Sequence, residues 1–228
     1  MLTYKIHFIR HGLTQANLEG RYIGSRTDLP LCPQGKAMLE QLCEDFRYPL
    51  VERVYTSPLL RARQSAEILF PDCAIKAVEN LRELDFGDFE GRTAQELEQA
   101  PDFQQWITAP PSTPTPGGES SIQLQTRAIE ALAYILGQMM EQQLFSVAVV
   151  THGGLIMHLL ATMGLPQREA VRWNTEPGRG YTALLSAQMW MRDHKFEVYE
   201  QIPYPYGNEQ PQDFPVSYWE ELERTAED

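Results

Sequence analysis

The chain has 228 residues, 43% of them hydrophobic and 22% charged, a composition that suits one α/β-sized domain with a sizeable core and excludes a wholly disordered chain. Its 19 basic and 31 acidic side chains leave a net charge of −12, which argues against a nucleic-acid partner and against an anionic membrane surface. No apolar run nears the ~20 residues of a membrane span. The stretch Met1 to Lys5 leads straight into an apolar segment without the h-region of a signal peptide. Cys32, Cys43 and Cys73 lack metal-ligand spacing and cannot all pair, so unpaired thiols in a reducing cytoplasm are expected.

In chain order, Tyr4 to Ile9 reads as a buried strand ending at Arg10-His11-Gly12. Pro33 to Arg47 has helical spacing at Met38, Leu42 and Phe46, with Pro33 in the first turn. Val51 to Thr56 alternates like a strand, and Ser57-Pro58 then opens a helix with Ser57 as its N-cap. Ala74 to Val78 is a short strand. Pro110 to Gly118 is a Pro-rich loop before a helix over Ser121 to Gln143. Ser146 to Thr151 is a strong buried strand, followed by His152-Gly153-Gly154 and an apolar helix over Leu155 to Met163. Tyr181 to Ala187 and Phe196 to Gln201 complete the strands. This alternation predicts an α/β fold: a three-layer α/β/α sandwich with a mostly parallel central sheet. The Pro-rich loop belongs to a small inserted cap over about residues 86–120. Residues 1–202 form the main domain, and residues 203–228 form a tail with four prolines, seven acids and one arginine. Tyr204, Tyr206, Phe214, Tyr218 and Trp219 make that tail too aromatic for a purely solvated terminus. At least part of it is expected to dock, on its own core or on a second subunit in a homodimer.

Three chemistry-bearing segments share one topology, since Arg10-His11-Gly12, Ser57 to Arg61 and His152-Gly153-Gly154 each follow a strand. In a parallel sheet the strand C-terminal ends share one edge, where ligands bind. Two histidines and two arginines therefore converge on one crevice. Arg61 and the residues after His152 also stand at helix N-termini, whose free N–H groups favour an anion. The set suits phosphoryl transfer. Arginines bind phosphoryl oxygens bidentately without losing charge, and a neutral imidazole is a competent nucleophile near pH 7. The leaving alkoxide needs a proton, and Glu83, in the loop Leu81 to Gly91, is the candidate acid. His7, His158 and His194 have no comparable context and are assigned to structure. Each segment alone is weak; their joint order at three strand ends is the signal.

These motifs resemble the histidine phosphatase, or phosphoglycerate mutase-like, superfamily. Arg10 to Asn17 looks like its Arg-His-Gly-x-Thr-x-x-Asn signature, and Ser57 to Ala66 like its Ser-Pro-Leu-x-Arg-Ala-x-Gln-Thr-Ala segment. The stretch Gly24, Asp28, Leu31, Gly35, the loop Leu81 to Gly91, Pro116 to Ser120 and Val150 to Gly154 are similar to its remaining motifs. The resemblance covers about residues 1–200. It implies that His11 is phosphorylated, that Arg10, Arg61 and His152 hold the phosphoryl oxygens, and that Asn17, Gly24 and Gly153 belong to the substrate site. It implies Glu83 as acid and then base, with no metal and no cofactor. Two positions depart from the pattern. Leu13 stands where glutamate is frequent, and Cys32 stands where threonine would cap the following helix, a change expected to weaken that helix start by about 1 kcal/mol.

Arg92 to Pro116 contains no lysine and no arginine beyond Arg92, unlike the mutases, which hold a second phosphate with such residues. The chain is in this respect similar to small phosphatases, including α-ribazole phosphatases and broad-specificity phosphatases. The expected activity is hydrolysis of a small phosphorylated metabolite, with α-ribazole 5'-phosphate one candidate. A mutase-type phosphoryl transfer and a scaffold or binding role on the same fold are the alternatives.

Overall fold

The computed structural model describes residues 3–206. The first part of the chain forms β1 (Thr3–Arg10), α1 (Gln15–Leu18), α2 (Pro33–Asp45), β2 (Phe46–Arg47), β3 (Arg53–Thr56), α3 (Leu60–Leu69) and β4 (Ile75–Ala77). Two 3-10 turns, Glu79–Leu81 and Gly87–Phe89, precede α4 (Ala94–Leu97), α5 (Pro101–Thr108) and α6 (Ser121–Gln142). The rest is β5 (Ser146–Thr151), α7 (Gly153–Met163), β6 (Gly164–Leu165), a 3-10 turn at Ala170–Trp173, β7 (Gly180–Ser186), α8 (Ala187–Asp193), β8 (Phe196–Ile202) and β9 (Tyr204–Pro205).

A seven-stranded sheet runs in the order β4-β3-β5-β1-β7-β8-β6. β4, β3, β5 and β1 pair in parallel, whereas β7 runs antiparallel to both of its neighbours. Helices cover both faces, and strand alternation decides which residues feed which layer. In β5, Val147 and Val149 join the core with Ile135 of α6 and Leu159 of α7. Ala148 and Val150 join the opposite core with Leu39 of α2 and Ala66 of α3. The mostly parallel, three-layer architecture expected from the alternation is what the chain forms.

α6 shows how its sequence makes a long helix. Ser120 caps it by accepting from the Gln123 N–H while the Gln123 side chain accepts from the Ser120 N–H. Its inward stripe is Leu124, Ala128, Ala131, Leu132, Ile135 and Met139. Each large apolar side chain in that stripe stabilises the fold by about 1.5–3 kcal/mol. The Pro-rich loop ahead of it is tied down: Thr115 Oγ1 donates to Asp85 O at 2.9 Å, and Asp88 N–H donates to Pro116 O at 2.9 Å. Between these ties, α4 and α5 form their own small cluster around Phe89, Leu97 and Phe103.

Two details differ from the sequence reading. The second helix stops at Asp45, and Phe46–Arg47 instead pairs with Tyr204–Pro205. This pairing places the start of the tail on the main domain, where Tyr204 Oη donates to Glu200 at 2.6 Å and Tyr206 Oη to Cys43 O at 3.1 Å. The docking expectation for Phe214, Tyr218 and Trp219 lies outside the described residues. Cys32 caps α2 at the position the resemblance gives to a threonine, its sulfur, a weak acceptor, taking the Gly35 N–H at 3.3 Å. The N-cap of α3 is Leu59 rather than Ser57. Asp28 reaches across to accept from the Leu60 N–H at 2.6 Å, which satisfies the helix end and leaves Ser57 available to the site.

Candidate active site

The register of the sheet aligns three strand ends. Arg10 pairs with Thr151 across β1 and β5, and Thr56 pairs with Val150 across β3 and β5. His11, Ser57 and His152 follow directly. His11 is 5% exposed and His152 is fully buried, and their rings face each other at 5.1 Å between centroids.

The hydrogen bonds of His11 decide its tautomer. Nδ1 lies 2.6 Å from the Gly12 carbonyl. A carbonyl only accepts, so Nδ1 carries the hydrogen and Nε2 keeps its lone pair. Burial pushes the ring's pKa well below the ordinary 6.5, and the Arg61 guanidinium adds to that effect. The neutral ring thus presents a free electron pair, at 3.3 Å from the Arg61 Nε–H.

Arg61 is 1% exposed. It donates to Thr27 O and Gly24 O, both at 3.0 Å, besides His11. Three of its five N–H groups are thereby used, and two remain for phosphoryl oxygens. Arg10 is anchored through its Nη1, which donates to Thr175 O at 2.7 Å, while its Nε is buried without a protein partner. Burial lowers both guanidinium pKa values and Glu83 counters this, so both stay charged near neutral pH.

His152 Nε2 meets Ser57 Oγ at 2.8 Å, and Ser57 Oγ accepts from the Leu59 N–H at 3.3 Å. Ser57 Oγ can accept from Nε2 or donate to it; in the tautomer where it donates, the ring proton sits on Nδ1, which is buried without a partner. Burial holds this ring neutral, and Arg61 reinforces that. In that tautomer His152 offers one N–H donor beside the His11 ring. An orphan buried donor costs about 1–3 kcal/mol. Arg10 Nε is one such donor, and His152 Nδ1 is a second in that tautomer; together they mark where an anion's oxygens would be held.

Glu83 is 7% exposed. Its Oε1 accepts from the Leu84 N–H at 2.9 Å and its Oε2 from the Gly154 N–H at 3.0 Å, at the start of α7. A Cβ on Gly154 would lie 2.6 Å from Glu83 Oε1, so glycine is required for the acid to sit there. Gly153 lies against Arg10, its Cβ position 3.3 Å from Arg10 Nε. Gly24 acts through its carbonyl on Arg61, and a Cβ there would fall 2.1 Å from Leu84 O. Asn17 Oδ1 closes the α1 cap by accepting from Thr14 N–H at 3.0 Å and Thr14 Oγ1 at 2.9 Å. Its amide NH2 is the group left to meet a substrate. Among the described residues, no cluster of three His, Cys, Asp or Glu side chains is placed to hold a metal ion, and no helix is long and apolar enough to cross a membrane.

The supporting roles of two groups escaped the sequence reading, although Asp28 stood among the family-like motif residues. Arg127 forks onto Glu119 at 2.7 and 2.8 Å, and donates to Asn80 O, Arg82 O and Glu83 O at 3.0, 2.6 and 2.9 Å. One guanidinium, 11% exposed, thus fixes the loop that carries Glu83. Its signal was an arginine three residues after Leu124 and one before Ala128, on the helix's apolar face, where a charge needs partners. Asp28, as the distant cap of α3, had no local signal.

Paired neutral histidines, a buried and a half-buried arginine and a carboxylate at a helix start suit phosphoryl transfer. The chain belongs to the histidine phosphatase superfamily (branch 1), whose model matches residues 6–199. It is 32% identical over 167 residues, 71% of this chain and 76% of the relative, to "Probable phosphoglycerate mutase GpmB" of Klebsiella pneumoniae. It is 29% identical over 168 residues, 71% of this chain and 80% of the relative, to "Putative phosphoserine phosphatase 2" of Hydrogenobacter thermophilus. The crystal structure of the alpha-ribazole phosphatase from Shigella flexneri shares the fold at a TM-score of 0.66 and 23% identity, over 80% of this chain and 90% of that one.

Proposed function

We propose that this protein hydrolyses a small phosphomonoester in the cytoplasm, through a phosphohistidine on His11. The observation that carries the reading is the neutral His11 ring, with its hydrogen on the Gly12 carbonyl and its Nε2 lone pair facing Arg61. His11 Nε2 attacks phosphorus while the P–O ester bond breaks, and Glu83 gives its proton to the departing oxygen. Water then attacks the phosphohistidine, the P–N bond breaks, and Glu83 takes the water's proton. Arg10, Arg61 and the His152 Nδ1–H hold the equatorial oxygens, where transition-state charge collects.

Hydrolysis is favoured over mutase transfer because Arg92 to Pro116 supplies no cation beyond Arg92 for a second phosphate. An ester such as α-ribazole 5'-phosphate fits this reading. The test is turnover of a panel of phosphomonoesters in excess chelator. Steady release of inorganic phosphate, lost in His11→Ala, is the expected result. Activity that needs an added divalent ion, or phosphoryl exchange without net release, would contradict it.

A further inference from the structure

Beside the acid lies a pocket of about 440 Å³, within the range of small-molecule sites. Leu84 and Gly154 both line it, and their backbone N–H groups are the two that hold the Glu83 carboxylate. The group that protonates a leaving oxygen stands on the leaving group's side, so this pocket receives the alcohol part of the substrate.

Its walls are apolar and braced. Phe86 stands edge-on to Trp106 at 6.2 Å and to Tyr22 at 5.2 Å, and Phe89 and Phe103 back Trp106 at 5.7 and 5.9 Å. Leu124 and Met157 complete the lining from α6 and α7. Among the described residues that line it there is no lysine, arginine, aspartate or glutamate. The polar side-chain groups are the hydroxyls of Tyr22, Thr113 and Ser121, the indole N–H of Trp106 and the ring of His158. The Gln125 amide meets His158 Nδ1 at 3.4 Å, and an amide NH2 only donates, so the ring's hydrogen is on Nε2. Burial lowers the pKa of His158 against the pull of Glu83. The histidine is thus a neutral donor near pH 7, not a cation.

We propose that this pocket selects phosphomonoesters of uncharged aromatic or aliphatic alcohols and turns away those whose alcohol carries a carboxylate or a second phosphate. The proposal rests on the phosphohydrolase reading above and adds to it the class of leaving group. A carboxylate moved into these walls would lose its hydration with no cation to replace it. An alkyl or aryl group would gain by leaving water, about fourfold in affinity per buried methylene.

The test is kcat/KM of the full chain, in excess chelator, on ethyl, butyl and hexyl phosphate, O-phosphoserine and 3-phosphoglycerate. The three alkyl esters have leaving groups of similar basicity, so the chemical step stays nearly constant along the series. The expected result is a rise of about fourfold per methylene until the pocket fills, with both carboxylate-bearing esters at least about a hundredfold below hexyl phosphate. Ile107 lines the pocket and is half exposed. Ile107→Arg should therefore keep the fold and raise 3-phosphoglycerate relative to hexyl phosphate by about tenfold or more. Turnover with a flat alkyl series, or with the carboxylate-bearing esters preferred, would overturn the pocket proposal alone. A ratio unmoved by Ile107→Arg would overturn its charge argument. No turnover of any ester, and no phosphate on His11, would overturn the phosphohydrolase reading and this proposal with it.

Discussion

His7 and His11 stand four residues apart, one inside β1 and one just beyond it. Both are buried, and burial lowers the pKa of both. Their surroundings separate them. His7 has a hydroxyl on each ring nitrogen, Thr182 at 3.0 Å and Ser146 at 3.2 Å, so it is fully committed inside the sheet. His11 has its hydrogen committed to Gly12 and its lone pair facing a guanidinium. Burial makes a histidine neutral; in the proposed mechanism it is the strand end, where backbone and cations converge, that suits one to attack phosphorus.

The strongest way to break this comparison is to delete each ring in turn. His11→Ala should lower turnover by at least about 10⁴-fold while unfolding at nearly the wild-type urea midpoint. His7→Ala should do the reverse, keeping turnover within about tenfold and losing about 1–3 kcal/mol of stability. Turnover that survives in His11→Ala would end the assignment.

Glu83→Gln should slow alkyl phosphates by about 10²–10⁴-fold. Aryl phosphates, whose leaving groups need no proton, should lose far less. Equal losses on both classes would give Glu83 a binding role instead.

Arg127→Met should cost about 3–5 kcal/mol, because it leaves Glu119 and three loop carbonyls without their partner. If Arg127 positions the acid, the surviving folded enzyme should also lose more kcat on alkyl than on aryl esters, and Arg127→Lys should restore part of it. A stability loss with an unchanged alkyl-to-aryl ratio would leave Arg127 with a purely structural part.

The same two histidines separate by pH. The His7 ring titrates at about 4 in the folded chain against an ordinary 6.5. The unfolded chain binds that proton first, so stability held above pH 6.5 should fall as the pH drops towards 4, by about 3 kcal/mol from this ring alone. His7→Gln should make that decline shallower, as urea unfolding from pH 7 to 4 would show. The acid limb of kcat/KM should follow His11 instead and lie well below the ordinary histidine range, since protonated His11 has no lone pair to offer.

The parts of this contrast that sequence exposes are those carried by local order. Arg10-His11-Gly12, Ser57 to Arg61 and His152 to Gly154 each sit after a strand, and strand direction alone sends them to one edge. The layers follow from alternation in segments such as Ser146 to Thr151. What stayed hidden depends on contacts between distant segments. Asp28 caps a helix 32 positions away, so Ser57 looked like the cap when its hydroxyl serves His152. Phe46–Arg47 leaves its helix because Tyr204–Pro205 lies beside it. Arg127 reads as one charge in a long helix until the loop carrying Glu83 folds over it.

In the proposed mechanism His11 carries the phosphoryl group. Mixing the protein with an aryl phosphate, quenching within milliseconds under alkaline conditions and mapping peptides by mass spectrometry reads this out. Acid-labile phosphate on His11, absent in His11→Ala and accumulating when water attack is slowed in Glu83→Gln, is the predicted result. Phosphate release at the wild-type rate with no phosphohistidine formed, or with the phosphate on another residue, would contradict it.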